Sequence, residues 1–154
     1  MENAERGYTI TRVFEAPRDF VWRAWTEPDQ FARWWGGALV RVEDVSMDVS
    51  PGGLWEATMI LPDGTRIGWY GRFEAVQEPT RLVMTLTDGT GGPDEFDLFT
   101  VTLAEVESGT EMTLRQSGCH LSDEEYERAK QGTGTFLDEM AALLADQLKM
   151  RHDT

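Results

Sequence analysis

Cysteine and histidine are nearly absent from these 154 residues: there is one cysteine, Cys119, and two histidines, His120 and His152. A lone cysteine closes no intramolecular disulfide, which fits a reducing compartment. The N-terminal MENAERGYT lacks the basic-then-apolar succession of a leader, and no apolar run approaches the roughly 18 residues that span a bilayer. A cytoplasmic protein without membrane insertion is expected. His, Cys, Asp and Glu show no zinc-site spacing, and no glycine-rich loop leads from a strand into a helix in phosphate-binding register. Neither a metal nor any other cofactor is therefore expected. Basic residues are few as well: 14 Lys and Arg against 28 Asp and Glu give a net charge of −14. That field repels phosphate backbones, so nucleic acid is not an expected partner.

What the chain has in plenty is aromatic surface. Four of its six tryptophans fall between Val13 and Gly37. So much aromatic area is covered by a core, by a partner, or by a ligand in a cavity. With 40% apolar and 27% charged residues the composition is that of a folded, soluble chain, and 154 residues predict one domain over 1–154.

The elements follow from periodicity and punctuation. Gly7 to Ala16 alternates Tyr8, Ile10, Arg12 and Phe14 against Thr9, Thr11, Val13 and Glu15, a first strand closed by Pro17. Phe20, Val21, Ala24 and Trp25 make one face of a short helix. Thr26 and Asp29 resemble a capping box for a second, which carries Phe31, Trp34 and Trp35 and stops at Gly36-Gly37. From Val40 to Gln116 strand-like segments alternate with turn chemistry such as Ser50-Pro51-Gly52-Gly53 and Pro62-Asp63-Gly64. Their dry faces read Val45, Met47, Val49; Trp55, Ala57, Met59; Ile67, Trp69, Gly71, Phe73; Leu82, Met84, Leu86; Phe99, Val101, Leu103; and Met112, Leu114. Ser122 and Glu125 then open a long helix with the stripe Phe136, Leu137, Met140, Ala141, Leu144 and Leu148. Gly132 and Gly134 inside it mark a kink, a break or a close approach of the sheet.

The order strand, two short helices, meander, long helix resembles the helix-grip fold of the START and Bet v 1 superfamily. Phe14-Glu15-Ala16-Pro17, Trp25-Thr26-Glu27-Pro28, Trp34-Trp35-Gly36, Gly71-Arg72-Phe73 and Pro79-Thr80-Arg81-Leu82-Val83 narrow the resemblance. With Gly109-Thr110-Glu111-Met112-Thr113-Leu114 they make it similar to the family of homologues of the activator of Hsp90 ATPase. The resemblance implies an α+β fold in which a curved antiparallel sheet of about seven strands wraps a long C-terminal helix around a hydrophobic cavity. Members of this branch commonly carry Gly-Trp early in the last helix. Here Thr133 follows Gly132, which implies a wider cavity entrance.

Acid, base and nucleophile candidates are sparse. Cys119-His120 joins a nucleophile to a base, but neighbours on a strand point to opposite faces and no third group orients them. The expected function is non-enzymatic binding of a small hydrophobic or aromatic molecule between sheet and C-terminal helix. Trp35, Met47, Trp55, Met59, Trp69, Phe73, Met84, Phe99, Phe136 and Met140 give the pocket its shape, and Gln116 is the polar anchor. Two alternatives stand beside it. A cyclase- or dehydratase-type enzyme of the same superfamily would use Gln116, Tyr70 and His120. A stress or co-chaperone accessory module would meet a protein partner through an exposed patch around Trp22 and Trp34.

Overall fold

Alternation of inward Tyr8, Ile10, Arg12 and Phe14 with outward threonines makes the first strand, β1 (Arg6–Phe14). The computed structural model describes residues 6–89, 96–118 and 121–152. Pro17 lacks the N–H that a strand would need and caps α1 (Arg18–Thr26), and Pro28 opens α2 (Pro28–Trp34). Six strands follow: β2 (Arg41–Met47), β3 (Leu54–Ile60), β4 (Arg66–Gln77), β5 (Arg81–Leu86), β6 (Asp97–Val106) and β7 (Gly109–Gly118). Last comes α3 (Asp123–His152). The strands form one antiparallel sheet in the order β1-β7-β6-β5-β4-β3-β2, so the first strand returns to pair with the last. The sheet carries α3 and the two short helices on one side, the helix-grip arrangement.

Register fixes which side chains meet. Tyr8 stands opposite Gln116, Gln116 opposite Phe99, Phe99 opposite Met84, and Met84 opposite Phe73. Residues directly opposite share a face, so these five form one row across the dry side of the sheet. Phe73, Met84, Met112 and Leu114 on that side are entirely covered. Against them lies the inward stripe of α3, with Leu137, Met140, Leu143 and Leu144 buried.

Several expectations change. No capping box joins Thr26 and Asp29: Thr26 Oγ1 donates back to the Trp22 carbonyl at 2.9 Å, and α2 is capped by Glu27 without a side-chain bond. The box at α3 does form, with Ser122 N to Glu125 Oε1 at 2.8 Å and Glu125 N to Ser122 Oγ at 3.1 Å. Trp22 and Trp34 are buried, because α1 and α2 pack on each other and on both the sheet and α3. The exposed aromatic patch expected there is absent. Gly132 and Gly134 mark neither a break nor a close approach: α3 runs through them, and a Cβ on either would meet nothing within 4 Å. Gly71 is one of the glycines that close packing demands, since a Cβ there would fall on the Thr85 carbonyl oxygen of β5. In β2 the alternation is interrupted by a bulge between Glu43 and Ser46, where Asp44 adopts φ 55°. Cys119 and His120 lie outside the described residues.

Candidate functional site

Trp35 follows the last turn of α2 and projects into the space between sheet and α3. Its indole is 2% exposed and is surrounded by rings from every layer. Phe31 stacks on it with centroids 4.9 Å apart. Trp34, Trp55, Trp69, Phe99 and Phe136 meet it edge-on at 5.3 to 5.9 Å. These are the separations at which the ring quadrupole favours edge-to-face packing. Met59 joins the same core, with the Trp69 indole Nε1–H donating to its sulfur at 3.2 Å. Of the expected lining, Trp55, Met59, Phe73, Met84, Phe99 and Met140 are buried with Trp35. Met47, Trp69 and Phe136 are half-buried against that core and form its rim. The eleven side chains therefore lie on the dry side of the sheet or on the helix face turned to it, and in this structure their rings close on one another.

Polar bonding within the cluster is uneven. Indole nitrogens are donors only, and most here are paired. Trp34 Nε1 donates to the Ala24 carbonyl at 2.7 Å, Trp55 Nε1 to the Thr85 carbonyl at 2.8 Å, and Trp25 Nε1 to the Met112 sulfur at 3.4 Å. Trp35 Nε1, equally buried, has no acceptor among the described residues. A buried unpaired donor forfeits roughly 1–3 kcal/mol of hydration without return.

At the edge of the aromatic cluster the row across the sheet becomes polar. Gln116 accepts from the Tyr8 hydroxyl at 2.6 Å and donates through Nε2 to Asp97 Oδ2, also at 2.6 Å. Tyr126 of α3 donates to Asp97 Oδ1 at 3.1 Å, and the Tyr8 and Thr133 hydroxyls lie 2.7 Å apart. Asp97, Gln116 and Thr133 are all buried. Burial pushes the Tyr8 hydroxyl up to about 12, aided by the negative charge of Asp97 and opposed by the hydrogen bond to Thr133. Tyr8 is thus a neutral donor at any physiological pH.

Sequence reasoning found Gln116 and missed its partners. Alternation offered a signal, for Asp97 is in phase with Phe99 and Val101, and Tyr8 with Ile10. Which of them meet is set by strand register and by α3, over separations of 19 to 125 residues. The enzymatic grouping of Gln116 with Tyr70 is not brought together: Tyr70 points to the opposite face of the sheet and is 51% exposed. A separate open groove of about 680 Å³ runs between β1 and the C-terminal half of α3. Val13, Phe14, Ala141, Leu144 and Leu148 line it, with Arg12, Glu15 and Lys149 at its edges. None of the eleven expected residues touches it. Among the described residues no three His, Cys, Asp or Glu are grouped to hold a metal ion, and no helix is long and apolar enough to cross a membrane.

A seven-stranded antiparallel sheet gripping a long C-terminal helix, with an aromatic interior between them, defines a helix-grip protein. Residues 15–145 match the model of the family described as activator of Hsp90 ATPase homolog 1-like protein, and the chain belongs to that family. Solved structures agree in fold. A protein from Nitrosomonas europaea is 23% identical, with 96% of this chain and 99% of that one covered and a TM-score of 0.81. A protein from Mycobacterium smegmatis is 26% identical over 92% of each chain, with a TM-score of 0.75. The AHSA1 protein from Silicibacter pomeroyi is 19% identical over 92% of this chain and 99% of that one, with a TM-score of 0.80. Comparison with curated protein sequences gives no match. Membership in this family supports a ligand-binding or accessory role in general terms.

Proposed function

We propose that the protein binds a small, largely apolar aromatic molecule between its sheet and α3. On this reading the ligand contacts Trp35, Trp55, Trp69, Phe99, Phe136 and the methionines around them. The observation that carries it is the Trp35 indole N–H, buried among rings with no acceptor among the described residues. Such a donor is costly in the free protein, and a ligand carbonyl or ether oxygen would satisfy it. The half-buried rim of Met47, Trp69 and Phe136 is the way in. The Phe136 ring lies at that rim with its centroid 5.3 Å from that of Trp35. Met59, Met84 and Met140 lend the surrounding packing the adaptability to accept a guest. Burying about 200 Å² of ligand at about 25 cal/mol per Å² contributes about 5 kcal/mol, which corresponds to a dissociation constant of about 0.2 mM before association costs are deducted.

Two assays test this. Native mass spectrometry of freshly purified protein is expected to show a discrete small molecule that denaturation releases. Titration with diphenylmethane and benzophenone, which differ by a carbonyl group, is expected to favour benzophenone in the wild type and to lose that preference in Trp35→Phe. If neither compound binds and no mass co-purifies, the reading is wrong.

A further inference from the structure

The hydrogen bonds beside the aromatic cluster run in one direction, and that direction specifies what their free end accepts. Asp97 is a carboxylate, an acceptor, and takes Gln116 Nε2–H and the Tyr126 hydroxyl. This turns the Gln116 amide so that its oxygen faces Tyr8, and the single Tyr8 proton goes to that oxygen. With its proton committed, Tyr8 can only accept from Thr133, so the Thr133 proton is committed too. Thr133 Oγ1 is left with a lone pair and no proton to offer. A helical threonine ordinarily turns its hydroxyl to a carbonyl in the preceding turn, as Thr135 does toward Gly132 at 2.6 Å. Thr133 instead ends a chain that begins at a buried carboxylate, and that polarisation makes its oxygen a better acceptor.

The flanks of Thr133 are bare. A Cβ on Gly132 or on Gly134 would meet nothing within 4 Å, so the helix positions next to Thr133 on either side are uncovered, a notch in the surface of α3. Phe136, one turn along, carries the same helix face into the rings around Trp35.

We propose that Thr133 Oγ1 is a polar subsite of the ligand pocket, reached at the Gly132–Gly134 notch, and that it takes a hydrogen-bond donor: the ligand class is an aromatic molecule bearing a hydroxyl or N–H. The inference rests on the aromatic pocket proposed above and adds the chemistry of its polar end. A hydroxyl placed there donates to Thr133, and an ether in the same position meets a lone pair with a lone pair.

The test uses tryptophan fluorescence titration of the full chain with biphenyl, para-phenylphenol and para-methoxybiphenyl. Wild type is expected to bind the phenol about tenfold more tightly than the methyl ether, the worth of one buried hydrogen bond. Thr133→Val, close in shape but without the oxygen, is expected to erase that preference and leave biphenyl affinity within about twofold. Thr133→Ser is expected to keep it, and thermal unfolding of both variants reports that the fold is intact. Equal binding of phenol and ether by wild type, or a preference that survives in Thr133→Val, overturns the Thr133 subsite while leaving the aromatic pocket standing. Failure of biphenyl itself to bind overturns the pocket and the subsite together.

Discussion

Trp34 and Trp35 are adjacent in sequence, buried to 1% and 2% exposure, and 5.7 Å apart between ring centroids, yet among the described residues only Trp34 finds an acceptor for its indole N–H. One residue of offset decides this. Trp34 completes α2 and reaches back to the Ala24 carbonyl in α1, whereas Trp35 leaves the helix in an extended conformation and enters the space under the sheet. The first anchors the two short helices to each other, and the second lines the candidate site.

Replacing each by phenylalanine separates these roles. Both changes remove a similar volume from a packed interior, so cavity costs largely cancel. Trp34→Phe also strands the Ala24 carbonyl, whereas Trp35→Phe removes a donor that has no acceptor among the described residues. Trp34→Phe is expected to be more destabilising by about 1–3 kcal/mol, measured as the difference in unfolding free energy in urea. Equal losses would show that the Trp35 N–H is satisfied in solution.

Tyr8 gives the protein an alkaline limit. Its folded pKa, about 12, lies above the ordinary value of 10.0, so between those pH values the folded chain retains a proton that the unfolded chain has lost. Stability that is full below pH 10 is therefore expected to fall by about 1.4 kcal/mol per pH unit from this residue as pH rises toward 12. Tyr8→Phe removes that contribution. Urea denaturation of both proteins between pH 9 and pH 12 measures it, and parallel pH curves would refute it.

Glycines of α3 and β4 behave oppositely. At Gly132 an alanine gains helix propensity and meets nothing, so Gly132→Ala is expected to stabilise the protein by about 0.5–1 kcal/mol. At Gly71 the added methyl group would collide with the Thr85 backbone and force β4 and β5 apart, at an expected cost of about 3 kcal/mol or more. Thermal unfolding midpoints of the two variants check both signs.

Much of this fold was legible in the chain because alternation and capping are local. The dry faces from Trp55 to Leu114 lie where period two placed them, and the Ser122–Glu125 box begins α3 as read. Trp22 was harder, because it falls off the apolar face of a lone amphipathic helix and is covered by neighbours that no single-helix pattern includes. The bulge at Asp44 depends on pairing with β3, and the partners of Gln116 depend on three strands and a helix converging. The unpaired Trp35 donor is a property of the assembled interior, for which the sequence shows only a tryptophan before Gly36-Gly37.

The most direct test of the aromatic pocket follows the indole N–H resonances by nitrogen-15 NMR during benzophenone titration, with the Trp35 signal assigned by its loss in Trp35→Phe. As the ketone accepts its hydrogen bond, the Trp35 resonance is expected to move downfield by more than those of Trp25 and Trp34, whose donors are already engaged. A Trp35 resonance that stays in place at saturating ketone would contradict the account.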